Sequence, residues 1–202
     1  MNIPFHCTKT LIVTLVVFVC SACGPNIDAL SLKNEAGDIQ AVIEIPAGTN
    51  LKIEYDKQTS RFKPDQIDGK DRVIDFLGYP ANYGFLPGTY HDPKDGGDGD
   101  PLDILVLSSS VASGSIIPVQ VIGVLKTRDD KGMDEKIIAI PVDQQSQTVQ
   151  ATNFVDFMIN YSGAQNIIET FFLNYKGMNT VQLLGWGDEQ EALQIIESVR
   201  VN

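Results

Sequence analysis

The sequence predicts an α+β fold in which several strands come first, two helices come late, and the strands form an antiparallel sheet, open or closed on itself. Two long β-branched runs, 116–127 and 136–141, are joined by the turn Asp129-Asp130-Lys131-Gly132 and predict a hairpin. Apolar residues recur at intervals of three and four between 164 and 176 and between 192 and 199, which predicts two amphipathic helices. No internal repeat is visible, so we expect one folded domain.

The remaining elements follow from shorter patterns. Residues 41–46 and 51–55 read as two strands joined in a hairpin by the turn 47–50. Two-residue alternation places Lys52 and Glu54 on one face of the second strand. The stretch 61–72 is charged and rich in turn residues, the apolar run 104–107 predicts a buried strand, and 180–186 predicts a strand between the helices.

The first 22 residues have the layout of a secretory signal peptide, with Lys9, a short apolar run and small residues before Cys23. The apolar run is too short to span a bilayer comfortably. Ser21-Ala22-Cys23 resembles a bacterial lipoprotein processing site, in which Cys23 would become the lipidated first residue. We therefore expect a signal peptide at 1–22, a tether at 23–39 and a folded domain at 40–202. The protein is then exported, periplasmic and attached to a membrane through Cys23.

All the cysteines, Cys7, Cys20 and Cys23, fall in this leader, so cleavage at Cys23 leaves the folded domain without a disulfide. The Cys20–Cys23 spacing matches a redox motif, but that motif requires a thioredoxin-like context. Beyond the leader the chain has 14 basic and 26 acidic side chains. Nucleic acid is therefore not an expected partner. A small anion would also be repelled unless bound metal ions reversed the local field.

The segment Asp98-Gly99-Asp100-Pro101-Leu102-Asp103 concentrates negative charge directly before the predicted buried strand. Carboxylates fixed at the end of a rigid strand suit a hard cation such as magnesium, which demands near-ideal geometry. A calcium loop beginning at Asp98 would have Leu102 at a ligand position and Asp103 where glycine is required. A solvated acidic surface loop is the other interpretation of this segment.

Nucleophile-based hydrolysis has little support in the sequence. His91 is the only histidine beyond the leader, and neither a Gly-x-Ser-x-Gly elbow nor a Walker A motif occurs. The remaining polar groups are carboxylates, lysines, arginines and tyrosines, which are the groups that hold magnesium and phosphate together.

The segment 98–103 resembles the signature of the family I soluble inorganic pyrophosphatases. Other segments resemble that family in the same order along the chain, from about Ile43 to the C-terminus: 42–46, 52–54, 79–84, 123–136, 171–176 and 185–186. The resemblance implies an OB-like closed antiparallel barrel with a five-stranded core, flanked by about two helices. It also implies hydrolysis of inorganic diphosphate to two phosphates.

The resemblance implies a role for each matching residue. The metal ligands would be Asp98, Asp103, Asp134, Asp129 and Glu44. The substrate contacts would be Lys52, Arg72, Tyr83, Lys136, Tyr175 and Lys176. Asp100 would be the general base, with Glu54 and Tyr79 as supporting residues. About two to four magnesium ions would bind per site, bridging and activating the attacking water. Association into a homo-oligomer is also expected.

The demands of the reaction agree with these roles. A general base alone contributes a factor of about 10² to 10⁴ in rate. Enzymes accelerate reactions by about 10⁶ or more, so metal ions and cationic side chains must supply the rest.

Several alternatives stay open from sequence alone. Arg61 competes with Arg72, because the spacing from Arg72 to Tyr79 is altered by one residue. The lysines could be ion-pair partners of the acids, and Tyr83 and Tyr175 could be core rings. The protein could also be an inactive metal-binding lipoprotein of the same fold, or a periplasmic hydrolase of other phosphoanhydrides.

Overall fold

The computed structural model describes residues 25–201, and a closed sheet forms its centre. The strands in chain order are β1 (Ile39–Ile45), β2 (Ile53–Asp56), β3 (Arg61–Pro64), β4 (Gln66–Ile67), β5 (Lys70–Asp71), β6 (Asn82–Phe85), β7 (Asp103–Val106), β8 (Ile116–Asp129), β9 (Gly132–Pro141) and β10 (Gln182–Gly187). Six of them form one sheet in the order β1-β6-β7-β9-β8-β10, and β1 also pairs with β8. The strands β1, β6, β7, β9 and β8 therefore close into a barrel, which confirms the predicted fold class.

One pairing departs from the predicted antiparallel pattern. Strands β7 and β9 are parallel, with Asp103 opposite Lys136, whereas the other pairs of the barrel are antiparallel. A parallel pair requires a long crossover, and here the chain between them is the whole of β8 with its two flanking turns. This departure matters for function, because it places an acidic and a basic site residue side by side.

The predicted hairpin across residues 41–55 is wrong. Strand β1 pairs with β6 and β8, while β2 pairs only with β3. The connecting turn is instead bonded to the start of β6 and to the segment before it. The Ala47 amide donates to Oδ1 of Asn82, the first residue of β6, over 3.0 Å, and the Gly48 amide donates to the Tyr79 carbonyl over 2.8 Å. These long-range bonds turn the chain away from β1 after residue 45.

The other hairpin is confirmed, since β8 and β9 pair along most of their length and turn between Asp129 and Gly132. The two predicted helices are also confirmed as α2 (Ser162–Asn174) and α3 (Glu189–Ser198). A further helix, α1 (Phe154–Asn160), was not predicted. It is only seven residues long and buries one residue, Phe157, so the sequence has no repeating apolar pattern that would predict it.

The part of the predicted tether that the structure describes is packed against the barrel. A short 3-10 helix spans Ile27–Ala29, and Ile27 and Leu32 are buried. Lys33 bridges to Ile39 at the start of β1. The buried apolar residues of this segment are widely spaced among polar ones, so its composition did not indicate this packing. The predicted signal peptide and Cys23 lie outside the described residues, and no helix within residues 25–201 is long and apolar enough to cross a membrane.

Candidate active site

A cavity of about 960 Å³ gathers residues that are far apart in the chain. Most of the residues singled out in the sequence line it: Glu44, Lys52, Glu54, Arg72, Tyr83, Asp98, Asp100, Asp103, Asp129, Asp134, Tyr175 and Lys176. Lys136 and Tyr79 are not part of the lining and lie behind it, almost completely buried. Cys23 is outside the described residues.

The centre of the site is a buried ion cluster created by the parallel pairing of β7 and β9. Asp103 faces Lys136 across that pair, and Asp134 lies two residues before Lys136 on the same face of β9. Lys136 Nζ donates to Asp103 Oδ2 over 2.8 Å and to Asp134 Oδ1 over 2.5 Å, although its side chain is only 1% exposed. Burying three charges is costly unless they are paired, and this arrangement pairs them.

A second lysine joins this cluster to the tip of the β8–β9 hairpin. Lys176 follows α2, and its Nζ donates to Asp129 Oδ2 over 2.5 Å and lies 3.5 Å from Asp134 Oδ2. Burial opposes ionisation of both carboxyls, but the two lysines around Asp134, and Lys176 beside Asp129, outweigh it and hold the pKa of each below its usual range. Both carboxylates therefore stay ionised at neutral pH.

The pKa values of Asp103 and Asp100 are shifted in the opposite direction. Burial, followed by repulsion from Asp134, raises the pKa of Asp103 in spite of Lys136. Asp100 lies on the exposed acidic segment, where desolvation and then the carboxylates of Asp98 and Asp103 raise its pKa. A carboxyl with a raised pKa is a better proton acceptor than an ordinary aspartate.

Within residues 25–201, no three carboxylate or imidazole groups are arranged as a ready-made metal site. The ammonium groups of Lys136 and Lys176 instead lie between the carboxylates of Asp103, Asp134 and Asp129. The donors of the cavity are nevertheless those of a hard cation, because they are carboxylate oxygens without cysteine or histidine in the lining. Their chemistry fits a magnesium-like ion.

Glu44 reaches the cavity because of an irregularity in β1. Ile43 pairs with Gly84 and Ile45 with Tyr83, so Glu44 is the extra residue of a β-bulge. Bulges re-aim side chains near active sites. The carboxylate of Glu44 accepts the Tyr55 amide over 2.7 Å, and burial raises its pKa to about 7. Gly84 allows the close approach of the two strands, because a Cβ there would lie 1.9 Å from the Val42 carbonyl oxygen.

Two tyrosines link this cluster to the core. The Tyr83 hydroxyl donates to Asp103, and burial keeps the pKa of Tyr83 far above its ordinary value, so the phenol retains its proton. Tyr79 is 1% exposed and its ring lies 5.1 Å from that of Tyr83 and 6.2 Å from that of Tyr175. Tyr79 thus packs behind the two tyrosines that line the cavity.

The structure separates the two candidate arginines. Arg72 lines the cavity and its Nη1 lies 3.2 Å from Asp65 Oδ2. Arg61 is exposed at the start of β3 and is not part of the lining. Asp65 was missed in the sequence, because nothing in a charged, turn-rich stretch shows which carboxylate pairs with which arginine. Tyr55 and Phe85 were also missed, since both read as ordinary strand residues.

The fold and this cavity together define an α+β barrel protein whose acidic site places carboxylates next to lysines, an arginine and tyrosines. The sequence model of the family described as "Inorganic pyrophosphatase" matches residues 41–202. The chain therefore belongs to the inorganic pyrophosphatase family.

Individual relatives agree with this assignment. The chain is 36% identical to an inorganic pyrophosphatase of Sulfolobus acidocaldarius, across 82% of this chain and 91% of the relative. It is 37% identical to one from Gluconobacter oxydans, across 81% of this chain and 90% of the relative. The crystal structure of the inorganic pyrophosphatase from Thermus thermophilus superposes with a TM-score of 0.72 at 32% identity, covering 87% of this chain and 97% of that one.

Proposed function

We propose that this protein is a magnesium-dependent inorganic pyrophosphatase that converts one diphosphate into two phosphates. Membership of the family makes it a hydrolase of a phosphoanhydride bond, and divalent-metal dependence is general in that family. The observation that carries the proposal is the convergence, in one cavity, of Asp98, Asp100, Asp103, Asp129 and Asp134 with Lys52, Arg72 and Lys176.

The metal would be held by Asp98, Asp103, Asp134, Asp129 and Glu44, in about two to four ions per site. Bound magnesium supplies a lowered pKa for water and neutralises charge on the phosphates. Asp100 takes the proton of the attacking water, a role that its raised pKa suits. Lys52, Arg72 and Lys176 bind phosphate oxygens, and the hydroxyl of Tyr175 donates to them. The hydroxyl of Tyr83 lines the same cavity but donates its one proton to Asp103, so Tyr83 orients that carboxylate beside the substrate.

Lys136 has a different place in this proposal from the one that the resemblance implied. Its ammonium group already donates to Asp103 and Asp134, and it is almost fully buried behind the cavity. We therefore propose that Lys136 positions these two carboxylates. It acts on the substrate through them and does not contact it directly.

The decisive experiment measures phosphate release from pyrophosphate by the purified chain from Asn26 onward, before and after removal of divalent metal by a chelator. We expect activity with magnesium, loss of activity after chelation, and recovery when magnesium is restored. ATP, tripolyphosphate and p-nitrophenyl phosphate serve as matched substrates. Faster release from any of these than from pyrophosphate would favour the broader hydrolase, and no release from any substrate would favour the inactive metal-binding protein.

We also propose that the protein is an exported, periplasmic lipoprotein anchored through Cys23. The support is the leader-like layout of residues 1–22 and the position of Cys23 shortly before the 3-10 helix Ile27–Ala29, which is packed against the barrel. A homo-oligomer is proposed from the family resemblance, and size-exclusion chromatography with light scattering tests it.

A lipid anchor on Cys23 should place the protein in the membrane fraction of the cell, and loss of this cysteine should remove it from that fraction. We expect the Cys23→Ser variant to leave the membrane fraction, because a thioether-linked lipid cannot form on serine. Cys7→Ser is the matched control and should fractionate like the wild-type protein. Membrane association of the Cys23→Ser variant equal to that of the wild type would contradict the proposal.

A further inference from the structure

We propose that residues 27–30, named here the N-terminal latch, hold one wall of the active site in place and thereby set substrate affinity. The latch lies outside the part of the chain that matches the family model, residues 41–202. The inference rests on the proposed function and deepens it, because the wall in question carries Lys52 and Glu54 to the cavity.

The β2–β3 hairpin forms this wall and is weakly attached to the barrel. Strands β2 and β3 pair only with each other and make no ladder with the six-stranded sheet. An isolated two-stranded hairpin is at best marginally stable in water. Its orientation therefore depends on side-chain packing and on a few bonds, such as that from the Tyr55 amide to Glu44 and that from the Lys52 amide to the Arg72 carbonyl over 2.9 Å.

The latch contributes apolar packing to this hairpin. Ile27 is 8% exposed and shares a buried cluster with Val42 and Phe85. Around this cluster pack four partly buried residues, Leu30 of the latch, Tyr55 and Phe62 of the hairpin, and Ile116 of β8. The ring of Tyr55 lies 5.1 Å from Phe62 and 6.3 Å from Phe85. Tyr55 and Phe85 also line the cavity, so the latch packs behind side chains that shape the site.

A polar contact joins the latch to the other end of the hairpin. Asp28 Oδ2 accepts the hydroxyl of Ser60 over 3.1 Å, in the turn between β2 and β3. Ser60 has a φ of 51°, in the left-handed region that a serine rarely adopts, so the turn benefits from an external bond. The latch thus holds the hairpin at its turn and along its apolar face.

The expected consequence is specific to binding. Lys52 and Glu54 are on or next to β2, whereas Asp100 and Asp103 belong to the acidic segment and to β7, which have their own attachment to the barrel. Loosening the hairpin should misplace Lys52, the phosphate contact on this wall, while Asp100, the proton acceptor, keeps its position on the acidic segment. The latch residues are therefore positioning residues, and their loss should raise KM far more than it lowers kcat.

The test uses the double variant Ile27→Ala, Asp28→Ala in the otherwise unchanged chain. We expect KM for magnesium pyrophosphate to rise about tenfold, which corresponds to about 1.4 kcal/mol of lost binding free energy when Lys52 is misplaced. The value of kcat should stay within about twofold of wild type, and the conservative pair Ile27→Leu, Asp28→Asn should restore most of the affinity. Hydrogen exchange of the Tyr55 amide should become faster in the alanine variant.

The control is Ile196→Ala, which truncates a residue that is 1% exposed on α3 in a different buried cluster. It loosens the protein without touching the hairpin, so its KM should be that of wild type. A wild-type KM in the double variant would overturn the latch proposal. If the wild-type protein hydrolysed no pyrophosphate, the proposed function would fail instead, and the latch would be decided by the Tyr55 amide: faster exchange supports it and unchanged exchange rejects it.

Discussion

The substitution Asp103→Asn is expected to lower kcat/KM for pyrophosphate by about 10³-fold or more, and to weaken magnesium binding. Asp103 begins β7, opposite Lys136 in the parallel pair, and its carboxylate takes bonds from both Lys136 and Tyr83. Asparagine keeps the shape but removes the charge that a hard cation requires. Metal ions contribute several kcal/mol of transition-state stabilisation, which corresponds to about three orders of magnitude in rate.

Asp100→Asn gives the contrast that separates metal binding from proton transfer. We expect magnesium affinity near the wild-type value, and a rate lower by about 10² to 10⁴, which is the contribution of a general base. Titration calorimetry with magnesium and steady-state phosphate release measure the two effects on the same samples.

Asp92→Asn is the matched control for both variants. It removes one charge from the same loop, but Asp92 does not line the cavity and caps the 3-10 helix Pro93–Asp95, a role that asparagine can fill. We expect wild-type activity. If Asp103→Asn behaved like Asp92→Asn, the assignment of Asp103 to the metal would be wrong.

The fold could be predicted where local pattern determines structure. The β8–β9 hairpin follows from two β-branched runs and a turn, and α2 and α3 follow from apolar periodicity. The errors involve contacts between distant residues. Strand β1 pairs with β6 and β8, and the turn after β1 is bonded to residues 79 and 82; these contacts join residues far apart in the chain, which no local pattern encodes. The parallel pairing of β7 with β9 also joins residues far apart in the chain, so no local pattern predicts it.

The residues of the site could be identified from motifs, but their orientation, burial and pairing with one another could not. The acidic segment and its lysines are recognisable in the sequence, and the structure brings them into one cavity. The orientation of Glu44 depends on a bulge of one residue in β1, and the pairing of Arg72 with Asp65 depends on the fold of β4 and β5 between them. The burial of Lys136 behind the carboxylates is likewise a property of the parallel strand pair.

Lys136 leads to the largest expected effect on stability. Its ammonium group is bonded to Asp103 and Asp134 and lies 5.0 Å from the centre of the Phe172 ring. The two carboxylates raise the pKa of Lys136 well above its ordinary value, against the effect of burial, so the charge persists. The methionine side chain of the variant Lys136→Met has a similar apolar volume but no charge. Within residues 25–201, Lys136 is the only cationic residue that contacts both Asp103 and Asp134, so the variant leaves these two carboxylates without a shared partner.

We expect Lys136→Met to lower the free energy of unfolding by about 3–5 kcal/mol, because removing one partner of a buried ion pair leaves charge uncompensated. Added magnesium should recover part of the loss, since a divalent cation bound by the same carboxylates stabilises the folded state by mass action. Urea unfolding with magnesium and with chelator measures both effects.

Lys126→Met is the matched control, because Lys126 is also a β8–β9 barrel lysine in an ion pair, with Glu191, but that pair is 25% and 41% exposed at its two side chains. Exposed ion pairs contribute about 0–1 kcal/mol, so this variant should lose little stability and gain no extra response to magnesium. Equal losses in the two variants would show that the position of Lys136 between Asp103 and Asp134 is not what holds the site together. A large loss confined to Lys136→Met, partly reversed by magnesium, would show that the lysine and the metal neutralise the same carboxylates.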